Sequence, residues 1–175
     1  MLPKRKTMDL PEPLDVLYRI KRGLAGYISY LAACEMNESF SEYVLYEPIL
    51  RILTARNFTV QCEVECPGVA QLPQGDQKRL DFVAKKEGLE FALEVKWARK
   101  RSLNCANDVE KLAAYVHSCN GAKAFLCVFG RRSHLVDLAL TPPKNKQSLT
   151  QRGQIMTADF GKTKFSCRIY EYHTA

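Results

Sequence analysis

The sequence predicts an α/β fold on three observations. Apolar residues recur at helical spacing as far as Ala55. At Phe58 the period switches to alternation. Beyond it, strand-like runs enclose one further helical stretch, giving the order helix, helix, three strands, helix, strand. The 175 residues, 46% of them hydrophobic, fit one domain with a two- or three-layer core. No internal repeat divides 14–175, which reads as a single domain. Residues 1–13, polar and punctuated by proline, are expected to form a flexible basic N-terminal arm. Its Lys4, Arg5 and Lys6 either touch phosphates or only solubilise the end.

The first helix is expected over Leu14 to Cys34, where Leu14, Leu17, Ile20, Leu24, Ile28 and Leu31 form one stripe. Gly23 and Gly26 weaken its middle, so close packing is expected there. The second helix is expected over Ser39 to Ala55. SFSE supplies a capping box of Ser39 and Glu42, and Pro48 either bends the helix or marks its true start. FTVQCEVEC then alternates, placing Phe58, Val60, Cys62 and Val64 on one face of a strand. A Pro- and Gly-bearing loop spans 67–78, and two strands follow over Arg79–Lys86 and Leu89–Trp97. After a basic stretch, Asn107 is expected to cap a helix to Cys119, with Glu110 completing the box. AKAFLCVFG is a short apolar strand of a sheet centre. SHLVDLAL reads as a strand, KNKQSLTQRGQ as a polar loop, and KTKFSCRIYEYHT as an edge strand with an exposed end.

The formal charge of +7, from 26 basic and 19 acidic residues, favours a polyanionic partner, with a solubilising surface as the plain alternative. No apolar run approaches the length of a membrane span, and the N-terminus lacks the apolar core of a secretory signal. Seven cysteines without a CxxC pair read as reduced, mostly buried thiols. An intracellular place, cytoplasmic or nuclear, is expected from them. Cys62 and Cys66 with distant ligands are a weak metal alternative.

The chemistry concentrates in the hairpin. With Glu87-Gly88 as a two-residue turn, Phe82 faces Leu93 and Asp81 faces Glu94. Glu94 and Lys96 share the face opposite Leu93, Val95 and Trp97. Paired carboxylates repel, and a divalent cation would relieve them. Mg²⁺ (or Mn²⁺) would take oxygens of Asp81 and Glu94 and the backbone carbonyl of Val95. Lys96 would orient a water or stabilise the phosphoryl group. The plain alternative is a surface salt-bridge cluster.

RLDFVA and LEVKW, with Asp81, Glu94 and Lys96, resemble the PD-(D/E)XK nuclease superfamily, also called restriction-endonuclease-like. The resemblance covers about half of the chain, Ser39–Val128. It departs at Leu80, where the family has proline. It implies a mixed sheet flanked by helices, metal binding by Asp81 and Glu94, and assistance to hydrolysis by Lys96. Many members add a helix glutamate. Glu42, in E-x-x-L-x-x-P with Leu45 and Pro48, matches best, with Glu47 and Glu38 as rivals. Lys111 and Tyr115 resemble the QxxxY element of some subfamilies, with Lys in place of Gln. They would contact substrate, or be a solvated lysine beside a packed tyrosine. Arg99, Lys100 and Arg101 after the catalytic strand are placed to hold a phosphate backbone, with Lys85, Lys86, Arg131 and Arg132 extending the surface. Trp97 is expected in the core.

The expected activity is metal-dependent hydrolysis of phosphodiester bonds, with DNA favoured over RNA as substrate through the resemblance. The alternative is a non-catalytic nucleic-acid-binding or assembly protein on the same fold. No membrane partner is expected. A palindromic duplex cut at this size would call for a homodimer.

Overall fold

The computed structural model describes residues 10–36, 41–70, 78–141, 148–158 and 162–174. The first helix, α1 (Leu14–Ala33), buries Val16, Leu17, Ile20, Leu24, Ile28 and Leu31, the expected stripe. Gly23 permits close approach to the next helix: a Cβ there would lie 2.7 Å from Ile52 Cδ1. Gly26 has open space instead. The basic side chains of the arm and the Ser39 cap lie outside the described residues. Next to α1, Glu12 accepts the Val16 N–H at 3.1 Å and lies 3.5 Å from Arg56.

The second helix is shorter than expected. A 3₁₀ turn at Glu42–Leu45 precedes α2 (Tyr46–Ala55). Pro48 falls in the first turn of α2, where its missing N–H costs nothing. Asn57, at φ 62°, ends the segment.

Strands β1 (Thr59–Glu65), β2 (Arg79–Lys86) and β3 (Leu89–Ala98) form an antiparallel meander. Gly88, at φ 74°, closes the β2–β3 turn, and the register from Phe82↔Leu93 to Lys86↔Leu89 is the one expected. The alternation of β1 is not preserved along its length. Phe58 and Val60 pack on one side of the sheet, whereas Val64 and Cys66 pack on the other. Glu63, at φ 53°, reverses the side-chain direction between them and leaves Cys62 exposed.

The basic stretch contains a short strand, β4 (Ser102–Asn104). Helix α3 (Ala106–Ser118) has Cys105 at its N-cap position, not Asn107. The side chain of Asn104 accepts the Ala106 N–H at 3.2 Å. Strand β5 (Lys123–Arg131) is buried from Ala124 to Gly130 and pairs parallel with β3. Segment SHLVDLAL is not one strand but a helical turn, α4 (Arg132–Leu135), followed by β6 (Ala139–Thr141), which pairs with β4. The expected polar loop contains β7 (Ser148–Gln151), and β8 (Met156–Ala158) follows it.

Strand β9 (Phe165–His173) is not an edge. It lies between β5 and β7 and buries Tyr170, Glu171 and Tyr172. Among the described residues the main sheet has the order β1-β2-β3-β5-β9-β7, with β8 also on β9. The result is an α/β architecture with a mixed sheet flanked by helices. Apolar side chains of α1 and α2 fill one face with Phe82, Phe91, Leu93, Phe125 and Phe129. Those of α3 fill the other with Val83, Ala92, Leu126 and Val128. Trp97 joins the first layer, edge-on to Phe129 at 4.7 Å between ring centroids.

Candidate functional site

Strand β3 presents Glu90, Ala92, Glu94, Lys96 and Ala98 toward α3, because side chains alternate along a strand. Helix α3 runs over this face in the opposite direction. Asp108 meets Lys96 at 3.3 Å, Lys111 meets Glu94 at 2.6 Å, and the Tyr115 hydroxyl donates to Glu90. The positions 108, 111 and 115 are one helical stripe, so the two periods match across the layer.

The register that aligns Phe82 with Leu93 ends there. Asp81 does not form a simple cross-strand pair with Glu94. Its Oδ2 accepts the Val95 N–H at 2.7 Å, and its Oδ1 accepts the Tyr46 hydroxyl at 2.5 Å. The same hydroxyl oxygen lies 2.9 Å from Glu63, which lies across from Asp81 on β1. Neither Tyr46 nor Asp108 stands out in the sequence as a site residue. The i,i+3 relation of Asp108 to Lys111 is the readable signal for one. Tyr46 carries none, being four residues beyond Glu42 in an ordinary amphipathic stretch.

Glu42 reaches the site from the 3₁₀ turn. Its Oε1 accepts the Trp97 N–H at 3.0 Å, and its Oε2 lies 3.7 Å from Lys96. Glu47 faces outward and pairs with Arg51, while Glu38 lies outside the described residues.

The cluster therefore contains four carboxylates (Asp81, Glu94, Asp108 and Glu42) and two ammonium groups, Lys96 and Lys111. Full ionisation leaves an excess of two negative charges. Glu94 is fully buried. Burial pushes its carboxyl well above the usual range. Repulsion from Asp81 adds to the rise, and Lys111 opposes it. Burial also raises Asp81, against the opposing hydrogen bonds from Tyr46 and Val95. Burial lowers both lysines, but Asp108 and Glu42 at Lys96, and Glu94 at Lys111, more than offset it. The two partners of the Lys111–Glu94 pair are thus unequal. The pair outweighs burial at the mostly buried lysine, and burial outweighs the pair at the wholly buried glutamate.

Among the described residues, no three His, Cys, Asp or Glu side chains converge as a ready metal cage. The donor chemistry nevertheless fits a hard divalent cation completed by substrate and water, which needs only one or two protein carboxylates. Oε1 of Glu94 is buried without a hydrogen-bond partner among the described residues. Such an orphaned acceptor is costly unless a cation or donor meets it.

The remaining predicted residues divide. Arg99, Lys100 and Arg101 are exposed at the Lys96 end of β3, with Arg101 4.0 Å from Asp137. Lys85 pairs with Glu90 at 3.2 Å near the hairpin tip, four residues or about 13 Å from Asp81 along the strand. Lys86 donates to the Arg56 carbonyl at 3.1 Å there, so neither lysine extends the basic end. Lys111 is turned inward onto Glu94 and the Arg79 carbonyl rather than solvated. Tyr115 is 2% exposed, a packed residue with its hydroxyl on Glu90. No helix among the described residues is long and apolar enough to cross a membrane. No family model, no curated protein and no solved structure matches the chain.

Proposed function

We propose that the chain is a metal-dependent nuclease of the PD-(D/E)XK type, hydrolysing phosphodiester bonds with DNA favoured over RNA. The observation that carries this reading is Glu94: a wholly buried carboxylate with one unpartnered oxygen, on the same strand face as Lys96 and repelled by Asp81. Buried carboxylate oxygens are as a rule hydrogen-bonded or bound to a cation.

Asp81, Glu94 and the Val95 carbonyl would hold Mg²⁺ or Mn²⁺. When bound, the cation stabilises charge on the phosphoryl group and acidifies a bound water. Asp81 is fixed for this role at both oxygens by Tyr46 and Val95. Lys96 is kept charged between Asp108 and Glu42. It therefore serves as a hydrogen-bond donor to the attacking water or to a phosphoryl oxygen, not as a general base. Arg99, Lys100 and Arg101 would bind the adjacent backbone phosphates.

The second reading, a non-catalytic nucleic-acid-binding or assembly protein, is favoured by one observation. Lys111 already neutralises Glu94 at 2.6 Å. Cleavage of labelled linear, circular and single-stranded DNA and of RNA, with Mn²⁺ or with EDTA, separates the two. Metal-dependent cutting lost in Glu94→Gln supports the nuclease. Salt-sensitive binding without cutting by the wild-type protein supports the second reading.

A further inference from the structure

The row of the sheet that holds Lys96 continues through two strands. Lys96 pairs with Val128 on β5, and Val128 pairs with Arg168 on β9. Two strand spacings put Arg168 about 10 Å from Lys96 at the backbone. Both side chains leave the sheet on the same face: Lys96 reaches α3, and Arg168 reaches the carbonyl of Val136 after α4 at 3.1 Å.

Arg168 lines a cavity of about 610 Å³ together with Arg132, Lys164, Gln151, Gln154 and Thr157. Three cations and several amide or hydroxyl groups therefore face one space, and no acidic residue lines it. Among the described residues, Arg132 and Arg168 have no carboxylate partner, in contrast to Lys96 and Lys111. The Nε of Arg168 is buried without a hydrogen-bond partner among them. Ile155 and Met156 supply the apolar part of its wall. Unneutralised guanidinium groups facing such a space match the oxygens of a phosphate, which they bind through paired N–H donors.

We propose that this cavity is a second phosphate-binding site, holding a phosphate of the same nucleic-acid strand whose scissile phosphate lies at Lys96. The proposal rests on the nuclease reading, or at least on its nucleic-acid-binding part. A separation of about 10 Å between the two strand positions is within the reach of a short stretch of one nucleic-acid strand. The site would thus fix the register of the strand while Asp81 and Glu94 address the scissile bond. The occupant is an internal phosphodiester or a terminal phosphate monoester, which share this chemistry.

The test is fluorescence anisotropy of a labelled single-stranded DNA, with 5′-phosphate or 5′-hydroxyl, in EDTA so that cleavage plays no part. Arg132→Gln and Lys164→Gln, both at exposed side chains, are measured singly and together. Arg168→Gln is added where circular dichroism shows it folded, and Arg51→Gln on the outer side of α2 is the control. The combined variant is expected to bind about tenfold more weakly. Its salt slope should become shallower by about 0.7 for each phosphate no longer neutralised. A loss confined to 5′-phosphorylated DNA assigns the monoester, and an equal loss for both assigns the diester. Wild-type binding with no change in affinity or slope in the combined variant overturns the cavity while leaving the nuclease reading intact. Absence of any wild-type binding to DNA or RNA overturns both.

Discussion

The ammonium of Lys111 donates to Oε2 of Glu94 at 2.6 Å, joining the two central helix and strand residues of the acidic cluster. Both side chains are mostly withdrawn from water. Removing one partner of such a pair leaves a buried charge, which costs more than the pair itself contributes.

Lys111→Met is therefore expected to destabilise the metal-free protein by about 3 kcal/mol. Adding Glu94→Gln to Lys111→Met should recover much of that loss. Urea denaturation of both single variants and the double variant closes the cycle. Strict additivity would show that the two groups do not interact.

Stability should fall twice as pH rises. The native carboxyls of Glu94 and Asp81 titrate above their ordinary values. Between the ordinary and the raised values the native state binds more protons than the unfolded one, so stability decreases with pH across that window. Lys96 and Lys111 have raised values, so their contribution is complete below the ordinary lysine range and is lost above it. Mn²⁺ competes with protons for the carboxylates. It should raise the thermal midpoint more at about pH 8 than at about pH 5. Equal shifts at the two values would place the bound ion away from Glu94 and Asp81.

Residues whose neighbours lie in one hairpin are readable from the sequence. Gly88 fixes the turn, the turn fixes the register, and alternation puts Glu94 and Lys96 on one face. The pattern does not supply the local reversal at Glu63 or the departure of Asp81 from simple pairing, since both depend on backbone angles rather than hydrophobicity. Residues Arg132 to Ala158 are illegible for a related reason. Their strands have three or four residues each, too short for a period to declare itself, and β6 and β7 pair with partners distant in sequence. Tyr46 and Asp108 enter the site only through packing of α2 and α3 on opposite layers.

Tyr46 tests that packing. Its ring lies 4.7 Å from Phe82, and its hydroxyl meets Asp81. Tyr46→Phe keeps the ring and removes the donor, so a stability loss of about 1 kcal/mol is expected. Losing a bond to the charged form should raise Asp81 further. The acidic limb of any metal-dependent cleavage should then move to higher pH. An unchanged pH profile would make the hydroxyl a structural group only.

The helix acid can be assigned by comparing two glutamates five residues apart in the chain. Glu42 accepts the Trp97 N–H at 3.0 Å and stands near Lys96, whereas Glu47 pairs with Arg51 on the outer side of α2. Glu42→Gln retains an acceptor for Trp97 but removes one of the two charges holding Lys96. Cleavage should fall about a hundredfold, the order seen when one electrostatic interaction is removed from a site. The accompanying stability change should stay within about 1 kcal/mol, since the group is partly exposed. Glu47→Gln should alter neither quantity appreciably. Parallel rate and denaturation measurements decide the matter. A Glu47 variant that loses activity while Glu42→Gln keeps it would move the third acid to α2 and leave Glu42 as a brace for Trp97.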